Sequence, residues 1–161
     1  MSIAPRLRQY LDDQRADYEV VEHKPTKSAM QSAEVCHIPA DRIAKGVLLD
    51  TGDDYLLAVI PADHRLQLSD LKEELGQRPQ LVEETALEQV FNDCEMGAVP
   101  AIGSGYGVST IIDDSLENQP DVYFEAGDHK SLVHMSQREF ARLTGAARHG
   151  SFSTHWSMMD G

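Results

Sequence analysis

The chain has 161 residues, 27 of them acidic against 14 basic, for a formal net charge of −13. That length suits one domain with a single sizeable core, and no stretch approaches the ~20 apolar residues of a membrane span. The acidity argues against broad, sequence-independent nucleic-acid binding, DNA included, which is driven by phosphate neutralisation; it leaves room for a nucleic acid gripped at one end by a small basic patch.

The first fourteen residues, MSIAPRLRQYLDDQ, put Ile3, Leu7, Tyr10 and Leu11 on one face of an amphipathic helix. They lack the apolar core and cleavage site of a signal peptide, so a cytoplasmic protein with no membrane partner is expected. Tyr18 to His23 alternates as a strand does. Thr26 or Ser28 then caps a short helix to about His37, and Pro39 to Ala44 reads as a short helical stretch. Ile43 to Asp50 and Tyr55 to Pro61 are apolar runs separated by Thr51-Gly52-Asp53-Asp54, a hairpin signal. Ser69 is expected to cap a helix that Gly76 closes. After a short strand near Leu81, Thr85 to Glu88 matches a capping box.

Glu95 to Gly107 (EMGAVPAIGSGYG) is a long glycine-rich loop, followed by a strand from Val108 to Ile112. Asp53-Asp54 and Asp113-Asp114 read as solvated turn residues. Val122 to Ala126 and Leu132 to Met135 form a second hairpin, and Ser136 to Glu139 a second capping box. From Ala146 the sequence loses periodicity. The pattern predicts an α+β fold: a curved, mostly antiparallel mixed sheet, barrel-like, surrounded by helices. A single domain over 1–145 and a flexible tail over 146–161 are expected.

Several residues carry possible chemistry. Lys45 sits at the mouth of a strand, where its ammonium must either snorkel to water or be offered to a ligand. The loop from Gly97 through Ala98, Val99, Pro100 and Ala101 is small or rigid, so its backbone can approach a ligand closely. It lacks the lysine and hydroxyl of a phosphate-binding P-loop. His134, flanked by Val133 and Met135, either lines a pocket or faces solvent. Cys36 and Cys94 read as reduced thiols, and the seven histidines show no zinc spacing. No metal or other cofactor is expected. With no catalytic triad in the sequence, an enzyme built this way would work by positioning and electrostatic stabilisation.

Taken together, "IAKGVLLD" with Lys45, the loop "GAVPAIG" and the hairpin "YFEAGDHKSLVHMS" resemble the YbaK/prolyl-tRNA synthetase-associated domain family, from about Ala4 to Thr144. That resemblance implies a curved mixed sheet and an editing deacylase that hydrolyses the ester of mischarged tRNA, such as alanine or another small residue on proline tRNA. It implies that Lys45 contacts the terminal adenosine and the scissile ester, and that Gly97 and the residues after it cradle the aminoacyl group. Asp128 and His134 fall in the second substrate-binding stretch, and Thr26 resembles a pocket-wall hydroxyl. The implied partners are the acceptor end of a mischarged tRNA and prolyl-tRNA synthetase or other translation components. One departure stands out: aligned on Gly103, Ala101 occupies the place of the motif's proline, and Pro100 stands one position earlier. That departure favours the alternative of a non-catalytic aminoacyl- or nucleotide-binding module; a hydrolase of other small aminoacyl esters is a further alternative.

Overall fold

The computed structural model describes residues 3–156. Helix α1 (Pro5–Asp13) starts with proline in its first turn, where the missing N–H is harmless, and buries Leu7 and Leu11. Strand β1 (Glu19–Glu22) leads to α2 (Ala29–Cys36). Of the two expected caps, Ser28 forms: its hydroxyl accepts from the Gln31 N–H at 3.2 Å. The helical stretch expected over Pro39 to Ala44 is a single 3-10 turn, Ala40–Arg42, and Ala44 already belongs to β2 (Ala44–Asp50). This strand pairs antiparallel with β3 (Tyr55–Pro61), Ala44 opposite Pro61 and Asp50 opposite Tyr55, as the hairpin signal required.

Next come β4 (His64–Leu66), α3 (Leu68–Leu75), β5 (Gln80–Leu81) and α4 (Glu84–Val90). Neither Ser69 nor Thr85 caps its helix. The Gln67 N–H is anchored on the Phe152 carbonyl at 2.7 Å, which starts α3 ahead of Ser69. The Ala86 and Leu87 N–H groups both reach the Glu83 carbonyl, so Thr85 lies inside the first turn of α4. The last elements are β6 (Ser109–Asp113), β7 (Asp121–Glu125), β8 (Ser131–Ser136), α5 (Gln137–Leu143), β9 (Arg148–Gly150) and β10 (Ser153–His155). Ser136 does cap α5, accepting from the Glu139 N–H at 3.1 Å. The return half of that box is missing because the Glu139 carboxylate accepts from Asp17 N–H and Arg142 instead.

The strands form a five-stranded sheet in the order β5-β2-β3-β6-β9, a three-stranded sheet β1-β8-β7, and the pair β10-β4. Pairing is parallel at β3–β6 and β6–β9 and antiparallel elsewhere. A bridge from Ile43 to Tyr123 links the two larger sheets. The main core, with Leu7, Leu57, Val59, Phe124 and Phe140, also takes in α1 and α5. Leu49, Ile60, Leu71 and Phe152 form a second cluster that includes α3, and a third joins α2 to Ile43 and Leu132. The fold is α+β, as the sequence predicts.

The carboxy-terminal stretch differs from expectation. Residues 148–155 form β9 and β10, and Phe152 is fully buried. Strands of three residues show no periodicity, so the pattern could not reveal them. Asp113 is not a solvated turn residue: it is 3% exposed and accepts from the Phe152 N–H at 2.9 Å and the Ser115 N–H at 3.2 Å. The last five residues of the expected tail, 157–161, lie outside the described residues. Among those residues, no helix is long and apolar enough to cross a membrane.

Candidate functional site

A cleft of about 370 Å3 opens beside the start of β2. The amino-terminal end of α2 contributes Lys27, Ser28 and Ala29, and β2 contributes Lys45 to Leu48. The glycine loop adds Gly97 and Val99; Leu81, Val82 and Leu87 form an apolar wall, and β7 ends there in Glu125. A second recess of similar size, lined by Leu56, Thr110 and Arg148 among others, contains no carboxylate, cysteine or histidine.

The glycine loop is fastened on two sides. Its Glu95 N–H donates to the Gly127 carbonyl at 2.7 Å, and the His129 ring donates through Nε2 to the Met96 carbonyl. Gly97 has a φ of +80°, and an added Cβ would lie 3.3 Å from the His129 ring and 3.4 Å from the Lys27 carbonyl. Only glycine meets both demands without strain. The loop then passes over β2, where a Cβ on Gly46 would stand 3.1 Å from the Pro100 carbonyl oxygen. Ala98, Pro100 and Ala101 of this loop are buried and do not line the cleft. Pro100 makes the close approach to β2, one position before the motif's usual proline.

Lys45 is half-buried, and burial lowers its pKa, with the Asp63 carboxylate opposing that shift. Its side chain makes no hydrogen bond or ion pair with a described residue. An ammonium that has lost part of its hydration acts on a ligand more strongly than one in bulk water. Lys27 also lines the cleft and is exposed, whereas Arg42 is engaged by Asp121 at 3.3 Å. Neither cysteine lines it, and burial raises both thiols, Cys94 to about 12. Thiolate chemistry is therefore not what this cleft offers.

The structure brings Lys45, Gly97 and Val99 together. It does not bring Asp128 or His134 into the cleft. Asp128 holds the turn between β7 and β8, accepting from the Lys130 N–H at 2.9 Å. His134 lies on the sheet face opposite the buried Val133 and Met135, held by Glu19 at 2.5 Å and Asp121 at 2.8 Å and stacked on Tyr123. Thr26 is buried behind the wall, 2.7 Å from Ser32 Oγ, which donates to Glu125 at 3.0 Å. Glu125 itself, with His129, escaped the sequence reading. The signal was strand alternation, which puts Glu125 on the same face as Tyr123, the face where α2 packs.

Residues 23–143 match the family of aminoacyl-tRNA editing domains. The chain belongs to that family. Among solved structures, the editing domain resembles a candidate trans-editing enzyme for prolyl tRNA synthetase, with a TM-score of 0.82 and 20% identity over 94% of this chain and 96% of that one. It equally resembles the hypothetical protein APE2540, with a TM-score of 0.82 and 21% identity over 92% and 99%. A longer chain from Marinobacter aquaeolei VT8, described as a candidate signal transduction protein, matches with a TM-score of 0.73 and 22% identity over 92% of this chain and 30% of that one. At such identities the likeness is one of fold. A comparison with curated proteins returns no match.

Proposed function

We propose that this editing domain acts in trans as an aminoacyl-tRNA deacylase, hydrolysing the ester of a mischarged tRNA, with alanine or another small residue on proline tRNA as the substrate. A synthetase pocket sized for proline cannot strongly exclude a smaller amino acid, because a missing methylene is worth only about 1–3 kcal/mol, so a second sieve is needed. The observation that carries the reading is the unpaired, half-buried Lys45 in one cleft with the glycine loop. Lys45 orients the ester and stabilises charge developing on its carbonyl oxygen while water attacks. Gly97 and Val99 of the glycine loop bound the space for the amino-acid side chain. Lys27 and Lys45 in the cleft, with exposed Lys24 and Lys130, suit an acceptor end held locally by an otherwise acidic protein.

The test is deacylation of alanine-, cysteine- and serine-charged proline tRNA by the wild type and by Lys45→Ala. Loss of a donor aimed at an oxyanion costs roughly 100- to 1,000-fold in rate, so a fall of that order on the preferred substrate is expected, with folding intact. Near wild-type turnover by the variant would remove Lys45 from the mechanism.

A further inference from the structure

Beside its two lysines the cleft contains an acidic group. Glu125 is 2% exposed, yet it lines the cleft. Its Oε1 accepts from Ser32, whereas its buried Oε2 has no partner among the described residues. A buried carboxylate oxygen without a donor is costly to keep and calls for one.

The neighbouring imidazoles make no hydrogen bond to it. His23 and His129 both lie close enough that a proton on either would lower the Glu125 pKa. His23 donates through Nδ1 to the Lys24 carbonyl, and His129 through Nε2 to the Met96 carbonyl, since a carbonyl can only accept. Each ring's other nitrogen, His23 Nε2 and His129 Nδ1, is buried and unpartnered. In the neutral rings these are bare acceptors, so neither ring offers Glu125 an N–H. A metal ion is not the answer. Among the described residues the only group dense enough to hold one is the exposed trio Asp114, Glu117 and His149, none of which lines the cleft. Nor does Lys45 fill the gap: the carboxylate acting on it is Asp63, and no ion pair joins it to Glu125. The cleft thus carries two lysines, neither joined to Glu125 by an ion pair or hydrogen bond, and an acidic group awaiting a donor.

We propose that Glu125 is the specificity residue for the free α-ammonium of the aminoacyl group, its Oε2 accepting an N–H from that ammonium while Lys45 serves the ester. Ser32, backed by Thr26, holds the carboxylate in place through Oε1. This rests on the deacylase reading for the identity of the ligand, and its test needs no hydrolysis. The probes are two stable amides of 3′-amino-3′-deoxyadenosine, one alanyl and one lactyl. They differ only in an α-ammonium against an α-hydroxyl.

Calorimetry with the whole protein should show the alanyl amide bound more tightly than the lactyl amide by roughly 10- to 100-fold, the span of one charge-assisted hydrogen bond. Glu125→Gln should erase most of that ratio by weakening the alanyl amide while leaving the lactyl amide nearly unchanged. The lactyl amide also reports whether the variant has folded. Equal affinity of the wild type for both amides would overturn the proposal whatever the variant does. Loss of both ligands by a folded Glu125→Gln, or of neither, would overturn it as well. Should Glu125→Gln not fold, Ser32→Ala must narrow the ratio, and an unchanged ratio there would count against the assignment. A wild type that discriminates between the amides but hydrolyses no charged tRNA would leave Glu125 in its role and remove the deacylase reading alone.

Discussion

Asp113 and Glu125 are both buried carboxylates at the end of a strand, exposed by 3% and 2%, and they sit in opposite situations. Both oxygens of Asp113 are occupied: Oδ1 accepts from the Phe152 N–H, and Oδ2 from the N–H and hydroxyl of Ser115. Only one oxygen of Glu125 is occupied, and the residue lines the Lys45 cleft. A fully satisfied buried carboxylate acts as a fastener, here tying the carboxy-terminal segment at Phe152 to the end of β6. A half-satisfied one in a cleft gives up stability and keeps an acceptor for something else.

The sharpest way to break this contrast is Asp113→Ala. It strips the acceptor from buried Phe152 N–H and from Ser115, and unsatisfied buried donors cost about 1–3 kcal/mol each. We expect a loss of about 3 kcal/mol, which lowers Tm by roughly 6–12 °C for a chain of this size. Deacylation at 25 °C by the folded fraction should be unchanged. Lost activity with an unmoved Tm would place Asp113 in the chemistry and collapse the distinction.

Gly97→Ala probes the other side. The new methyl group meets the His129 ring, and a φ of +80° disfavours any L side chain. A loss of about 1–2 kcal/mol is expected from the backbone alone. Because the same change pushes on the loop that shapes the cleft, deacylation should fall by more than the stability loss explains. A variant that is less stable but fully active would make this loop a connector and nothing more.

The contrast also separates what the sequence made legible from what it hid. Long periodic segments were readable: the β2–β3 and β7–β8 hairpins appear within a residue or two of their patterns, and α1 keeps Leu7, Tyr10 and Leu11 of its expected face but starts only at Pro5, leaving Ile3 outside the helix. The carboxy-terminal strands were not, because three-residue strands are specified by partners distant in sequence, Asp113 and the Gln67 backbone, and not by their own residues. In the site, Lys45 and Gly97 stood out as residues unusual for their local setting. Glu125 did not, since a glutamate before a glycine turn looks like surface. Only the packing of α2 across that face buries it, and no local pattern encodes that tertiary contact.

The subtlest effect is also the most direct measure of the difference between the two carboxylates. Burial raises the Glu125 pKa above its ordinary value of 4.5, only partly offset by the Ser32 hydrogen bond. Between 4.5 and that raised pKa the folded protein binds a proton that the unfolded chain has released, so stability falls as pH rises through this window. Below 4.5 both states are protonated and the residue carries no such penalty. Glu125→Gln removes the titration while its amide oxygen can still accept from Ser32. Relative to the wild type, the variant should therefore gain thermal stability between pH 4 and pH 7. Thermal unfolding of both proteins at the two pH values reads this as a change in the difference between their Tm values. A difference that stays flat, or turns against the variant at pH 7, would mean that Glu125 is satisfied as Asp113 is, with no acceptor held open in the cleft.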